Sequence, residues 1–162
     1  MSSKKHDEKQ QTYAVKANSA KGSNIFIVED DEIDQRLVSQ SFAKRKSYEQ
    51  IKITFFKTGE QLLSHLSEHE VWPSILICDI NLPGMTGLET INQMADLSLN
   101  DKTPFVVVLS GSDPTLDPQF KQTSCINTYY QKPASKKDWD KIIDEICDLH
   151  LQDKNTINGS YS

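Results

Sequence analysis

The chain has 162 residues, of which 36% are apolar and 25% charged, and its formal net charge is -5; that is material for one ordinary globular core plus tails. No Lys/Arg run falls inside the patterned region, no apolar stretch approaches the roughly 18 residues that span a bilayer, and the start lacks the apolar core of a signal peptide, which argues against nucleic acid and membrane as partners and makes the cytoplasm the expected location. Cys78, Cys125 and Cys147 form no C-x-x-C pair and no zinc-finger spacing, so neither a disulfide framework nor a structural zinc is expected.

Residues 1–23 are polar, lysine-rich and nearly free of large apolar side chains. Such a segment cannot bury enough surface to offset its ordering entropy, so it is expected to be a disordered tail. From 24 to 152 the pattern alternates strand and helix five times, which predicts one α/β domain with a mostly parallel sheet. Ile25–Val28 is a continuous apolar run, as in a strand buried on both faces. A helix follows from about Glu32, with Ile33, Leu37, Val38 and Phe42 at helical spacing. Ile51–Phe55 alternates strictly and is expected at a sheet edge with one wet face.

Thr58-Gly59-Glu60-Gln61 is a capping box that opens a second helix carrying Leu62, Leu63 and Leu66. Ile75–Cys78 is the third strand, and it runs into Asp79, Asn81 and the turn Pro83-Gly84. Thr86-Gly87-Leu88-Glu89 is a second capping box, starting a helix with Leu88, Ile91, Met94 and Leu97. Phe105–Leu109 is the longest unbroken apolar run and should be a central strand. Asp117-Pro118 reads as an N-cap with Pro at the first helical position, predicting a fourth helix around Phe120. Thr128–Gln131, short and half polar, is the opposite edge strand. Ser135 to Asp138 caps a fifth helix striped by Trp139, Ile142, Ile143 and Ile146, and residues 153–162 read as a second flexible tail.

If the apolar runs are parallel strands, the residues that end them, Glu29-Asp30, Asp79, Ser110 and Lys132, reach one rim, outside the carboxyl ends of the strands where open α/β sheets bind ligands. Like charges about 4 Å apart at an effective dielectric near 20 repel by roughly 4 kcal/mol per pair, so three carboxylates there require a cation. Donors that are all oxygen suit Mg²⁺, with Mn²⁺ as a substitute. A carboxylate beside that ion and the Lys132 ammonium is a nucleophile for phosphorus. Asp79, ending the middle run and exposed by the Pro83-Gly84 turn, is the candidate, and the Ser110 hydroxyl can bond a phosphate oxygen.

These residues, in this order, resemble the receiver domain of two-component response regulators over about 23–152, flanked by tails at 1–23 and 153–162. The resemblance implies a flavodoxin-like (βα)5 fold: a doubly wound parallel sheet of five strands in the order 2-1-3-4-5 with helices on both faces. It makes Asp79 the phospho-acceptor and Glu29 with Asp30 the acidic pair that holds Mg²⁺, with a further ligand from the backbone carbonyl of Asn81. It makes Ser110 the switch hydroxyl, Lys132 the lysine that pairs with the phosphoryl group, Tyr129 the aromatic that moves with Ser110, and Pro133 a cis-proline; Pro83 and Gly87 are structural. The implied donor is a sensor histidine kinase or phosphotransfer protein. A downstream protein would dock on the face of the fourth helix, fifth strand and fifth helix of a stand-alone, chemotaxis-regulator-like switch, monomeric or weakly dimeric. Such a protein is no enzyme beyond its own phosphotransfer and autodephosphorylation. Cys125-Ile126 departs from the family's usual Gly-Ala and puts the shape of that docking face in question.

Two other readings compete. A phosphatase of the haloacid dehalogenase type also uses an Asp nucleophile with Mg²⁺, but needs a second Asp two residues on as general acid/base, where this chain has Asn81. A pseudo-receiver would serve as an interaction module without phosphorylation.

Overall fold

The computed structural model describes residues 12–14, 23–45, 51–97 and 103–159. Six strands form one sheet: β1 (Thr12–Ala14), β2 (Asn24–Val28), β3 (Lys52–Phe56), β4 (Ile75–Asp79), β5 (Phe105–Ser110) and β6 (Thr128–Gln131), in the order β1-β3-β2-β4-β5-β6. Strands β2 to β6 are parallel, so without β1 the order is the expected 2-1-3-4-5 of a flavodoxin-like fold.

Strand parity divides the core. Odd-numbered side chains (Ile25, Ile27, Ile53, Ile75, Ile77, Val107) pack with Val38 and Phe42 of α1 (Glu32–Ala43) and with Trp139, Ile143 and Ile146 of α4 (Lys136–Gly159). Even-numbered ones (Phe26, Val28, Leu76, Cys78, Val106, Val108) pack with Leu62 and Leu66 of α2 (Gly59–Glu68) and with Leu88, Ile91 and Met94 of α3 (Gly87–Leu97). Successive side chains on a strand point to opposite faces, so continuous apolar runs fill both layers at once. Each aliphatic side chain fully buried in this way contributes about 1.5–3 kcal/mol. Polar contacts tie the end of α1 to α4 on the outside: Lys44 pairs with Asp140, to which the Ser41 hydroxyl also donates, and Arg45 pairs with Asp144 and Asp148.

The helix starts follow local chemistry. Asp31 caps α1, accepting from the N–H groups of Ile33 (2.8 Å) and Asp34 (3.0 Å). Thr58 caps α2, and the Gln61 side chain reaches back to the Lys57 amide. At α3 the box closes reciprocally, Glu89 N–H to Thr86 Oγ1 and Thr86 N–H to Glu89 Oε2, both at 3.2 Å. Ser135 accepts from Asp138 N–H ahead of α4.

Several expectations need correction. Within the polar stretch 1–23, Thr12–Ala14 forms a strand that pairs antiparallel with β3, Tyr13 opposite Ile53; the remainder of that call, apart from Ser23, lies outside the described residues. Strand β3 therefore has a neighbour on each side, and four of its five residues are buried, because Phe55-Phe56 breaks the alternation and puts an aromatic side chain into each layer. No fourth α-helix forms around Phe120. Two 3₁₀ turns, Pro114–Leu116 and Phe120–Gln122, take its place. Asp113 caps the first turn and Asp117 Oδ1 accepts from the Gln119 amide, Leu116 points outward at 77% exposure, and nothing apolar follows Phe120 at helical spacing, so there is no stripe to bury. The docking face implied for the fourth helix is thus made of turns. Helix α4 runs on to Gly159 instead of yielding to a tail at 153, since no Pro or Gly interrupts it earlier. Ile33, placed on the apolar side of its helix by spacing, is 67% exposed.

Sheet edges expose unpaired backbone groups, and β1 covers that of β3. Deleting residues 1–14 should lower the hydrogen-exchange protection of β3 amides while leaving β4 unchanged, as read by mass spectrometry; equal protection of β3 with and without the segment would contradict this pairing.

Candidate functional site

Asp79 is the last residue of β4, the middle of the five parallel strands. Its odd number puts its side chain toward α1 and α4. On either side the sheet's hydrogen bonding continues past the strands. Glu29 N–H donates to Phe56 O at 2.9 Å, and Lys132 N–H donates to Ser110 O at 2.6 Å. Both backbones are thereby fixed at the rim where β4 ends.

The side chains converge on one ammonium. Lys132 Nζ lies 2.8 Å from Asp79 Oδ2, 2.8 Å from Glu29 Oε2 and 2.9 Å from Asp34 Oδ2. A lysine has three N–H donors, and each has a carboxylate. The Glu29 and Asp79 side chains are nearly enclosed, whereas those of Lys132 and Asp34 are each 20% exposed. Backbone donors occupy the other carboxylate oxygens: Asp31 N–H to Glu29 Oε1 at 3.0 Å and Asn81 N–H to Asp79 Oδ1 at 2.9 Å. Gln35 holds the main chain below, its Nε2 donating to Glu29 O at 2.6 Å.

Burial pushes the Glu29 carboxyl up to about 7, against the pull of Lys132 and the Asp31 amide, with the Asp79 charge raising it further. For Lys132, burial alone would lower the pKa; hydrogen bonds to Asp79, Glu29 and Asp34 outweigh it and hold the ammonium above its ordinary value. One ammonium faces four carboxylates, because Asp30 joins the cluster: ligand oxygens of Glu29, Asp30 and Asp79 all lie within 4.8 Å of one another. With an excess of negative charge and only oxygen donors, these residues fit a hard divalent cation.

The loop after β4 is built to hold Asp79 in place. Gly87 N–H bonds Ile80 O at 2.9 Å, and a Cβ on Gly87 would lie 2.0 Å from the carbonyl oxygen of Asp79, so only glycine fits. Gly84 has φ +74°, the left-handed region that glycine tolerates, and beside it Met85 N–H donates to Glu60 Oε1 of α2 at 2.9 Å. Pro83 sits exposed in the turn. Cys78 faces away from the carboxylates into the α2/α3 layer, its Sγ near Gly87 O. Burial drives its thiol pKa up, which makes it an inert core residue.

Ser110 is buried, and its Oγ accepts the Ser112 amide at 3.3 Å; strand alternation sends it to the opposite side from Leu109, the partner of Asp79 across the ladder. Tyr129 is 45% exposed, its ring packed edge-on against Phe120 at 5.1 Å between centroids. The Lys132–Pro133 bond is not cis, since no described peptide bond is. The trans form is the default for an X–Pro bond by about 0.5–1 kcal/mol. Asp34, Asp31 and Glu60 were missed from the sequence. For Asp34 the only sequence cue is its place in the first turn of α1, three residues after the N-cap Asp31 and so close to the rim.

A family model described as the response regulator receiver domain matches residues 25–144. The chain belongs to that family. It is 28% identical over 131 residues to the probable methanogenesis regulatory protein FilR2 of Methanothrix harundinacea, covering 78% of this chain and 83% of the relative. It is 27% identical over 112 residues to the polar-differentiation response regulator DivK of Brucella ovis, covering 69% and 85%. Among solved structures it resembles the phosphorylated cyanobacterial phytochrome response regulator RcpA, with TM-score 0.71, 24% identity and coverage of 81% and 95%. It also resembles the Mn²⁺-bound form of response regulator Rcp1, with TM-score 0.64, 23% identity and coverage of 76% and 91%. At these identities the two structures speak for the fold alone. No helix among the described residues is long and apolar enough to cross a membrane.

Within the receiver fold Lys132 is mostly enclosed, so its removal strands buried charge. Lys132→Ala should cost about 1–3 kcal/mol in urea unfolding with EDTA present, and added Mg²⁺ should restore part of it. An unchanged midpoint in EDTA would contradict the counter-charge role.

Proposed function

We propose that this receiver is a phosphorylation switch in which Asp79 takes a phosphoryl group from a phosphohistidine on a sensor kinase or phosphotransfer protein. The observation that carries the reading is the single ammonium of Lys132 shared among Asp79, Glu29 and Asp34. An attacking carboxylate held in this way, at the open end of a parallel sheet, faces its donor with a fixed positive charge beside it.

Asp79 attacks phosphorus in line, a P–O bond forms as the P–N bond breaks, and the donor imidazole leaves. Glu29, Asp30 and Asp79, with the backbone carbonyl of Asn81, are the residues that would hold Mg²⁺, or Mn²⁺ in its place. When bound, that ion neutralises charge on the transferring oxygens. Lys132 donates to a phosphoryl oxygen. Ser110, on the next strand, turns its hydroxyl toward the product, and Tyr129 moves with it. Tyr129 and Phe120 lie together on the surface formed by the 3₁₀ turns and β6, so their rearrangement would alter the face offered to a downstream protein. Asn81 has an amide where the haloacid dehalogenase chemistry needs an acid, which favours a retained acyl phosphate over turnover.

With acetyl phosphate and Mg²⁺ the protein should acquire one phosphoryl adduct, mapped by mass spectrometry to Asp79 and absent from Asp79→Asn. Chelating the metal should stop labelling while the circular dichroism spectrum stays native. No adduct on the wild type would leave the pseudo-receiver reading in its place.

A further inference from the structure

Every N–H of the Lys132 ammonium is engaged by a carboxylate, so any further acceptor must displace one. The three present acceptors are not equivalent. Glu29 and Asp79 belong, with Asp30, to the oxygen cluster that suits a divalent cation; Asp34 does not. A cation at the cluster offsets the charge of Glu29 and Asp79 and weakens their claim on the ammonium. Asp34, outside that cluster, is left as the ammonium's remaining partner. Its backbone is fixed in the first turn of α1 by its N–H bond to Asp31 Oδ1, and its carboxylate is only one-fifth exposed, so water screens the contact poorly.

We infer that Asp34 is a positioning residue that retains Lys132 by competing with a phosphoryl group on Asp79 for the same ammonium, and so sets how tightly the site holds that group. This rests on the reading of Asp79 as the phospho-acceptor. Asp34 touches neither the attacking oxygen nor the transferred group; it acts through the lysine. Removing its carboxylate frees one donor of Lys132 for a phosphoryl oxygen, a charge-assisted bond of the stronger kind.

Glu32 supplies the control. It carries the same charge on the same helical turn, but it is 66% exposed and lies 3.6 Å from Lys57, away from Lys132. Losing a general negative charge from the turn affects Glu32→Gln and Asp34→Asn alike, whereas releasing Lys132 belongs to Asp34→Asn alone.

The test titrates the full-length protein, saturated with Mg²⁺, with beryllofluoride, and reads binding by calorimetry and by fluorine magnetic resonance. Asp34→Asn should bind about three- to tenfold more tightly than the wild type, with slower release, and Glu32→Gln should match the wild type. Asp34→Ala, which also lacks the carboxylate and favours the helix, should behave as Asp34→Asn. Equal affinity in Asp34→Asn, Asp34→Ala and the wild type, or an equal gain in Glu32→Gln, overturns the inference while the phospho-acceptor reading stands. A wild type that takes up no beryllofluoride overturns both.

Discussion

A buried charge is tolerated only when an opposite charge and hydrogen bonds meet it, and in this protein the Lys132 ammonium performs that service for the carboxylates at the rim of the sheet. Its position depends on two backbone hydrogen bonds just past the strands, from Glu29 to Phe56 and from Lys132 to Ser110. They carry the register of β2 against β3 and of β5 against β6 beyond the strand ends. Because a sheet's register is enforced by burial of both its faces, the packing of two apolar layers fixes the geometry of a polar site that contributes little to either.

The two layers divide the work. The α1/α4 side carries the charged partners: Asp34 comes from α1, and Lys132 comes from the loop into α4. The α2/α3 side positions the backbone around Asp79. There Gly87 permits a close approach to the Asp79 carbonyl, and Glu60 tethers the loop at Met85. Asp79 stands between them at the end of the middle strand, where a change in its charge is felt by both layers. Ser110 and Tyr129 lie one and two strands away, on β5 and β6.

Much of this was readable before any coordinates. The apolar runs that end in Glu29-Asp30, Asp79, Ser110 and Lys132 announce a parallel sheet and its functional rim, because a strand buried on both faces leaves little else apolar to write. Capping boxes at Thr58 and Thr86 marked helix starts correctly, since they depend on neighbours three residues apart. What escaped detection depends on distant partners. Thr12–Ala14 is a strand only because the edge of β3 offers it backbone partners, and no periodicity announces three residues. Glu60 reaches a loop 25 positions away. Asp117-Pro118 has a good helix-start signal, yet without an apolar stripe behind it the segment settles into 3₁₀ turns. Asp34 looked like ordinary acidic dressing of a helix N-terminus.

The excess of carboxylates over ammonium is the property that joins fold to function. It is also the property a direct measurement can reach. Calorimetric titration of the metal-free protein with Mg²⁺ should show one saturable site, abolished or strongly weakened by Asp79→Asn and by Glu29→Gln, with both variants still folded. Binding of Mg²⁺ that survives both substitutions, or no binding by the wild type, would contradict the account of the rim as an incompletely neutralised cluster built for a cation and a phosphoryl group.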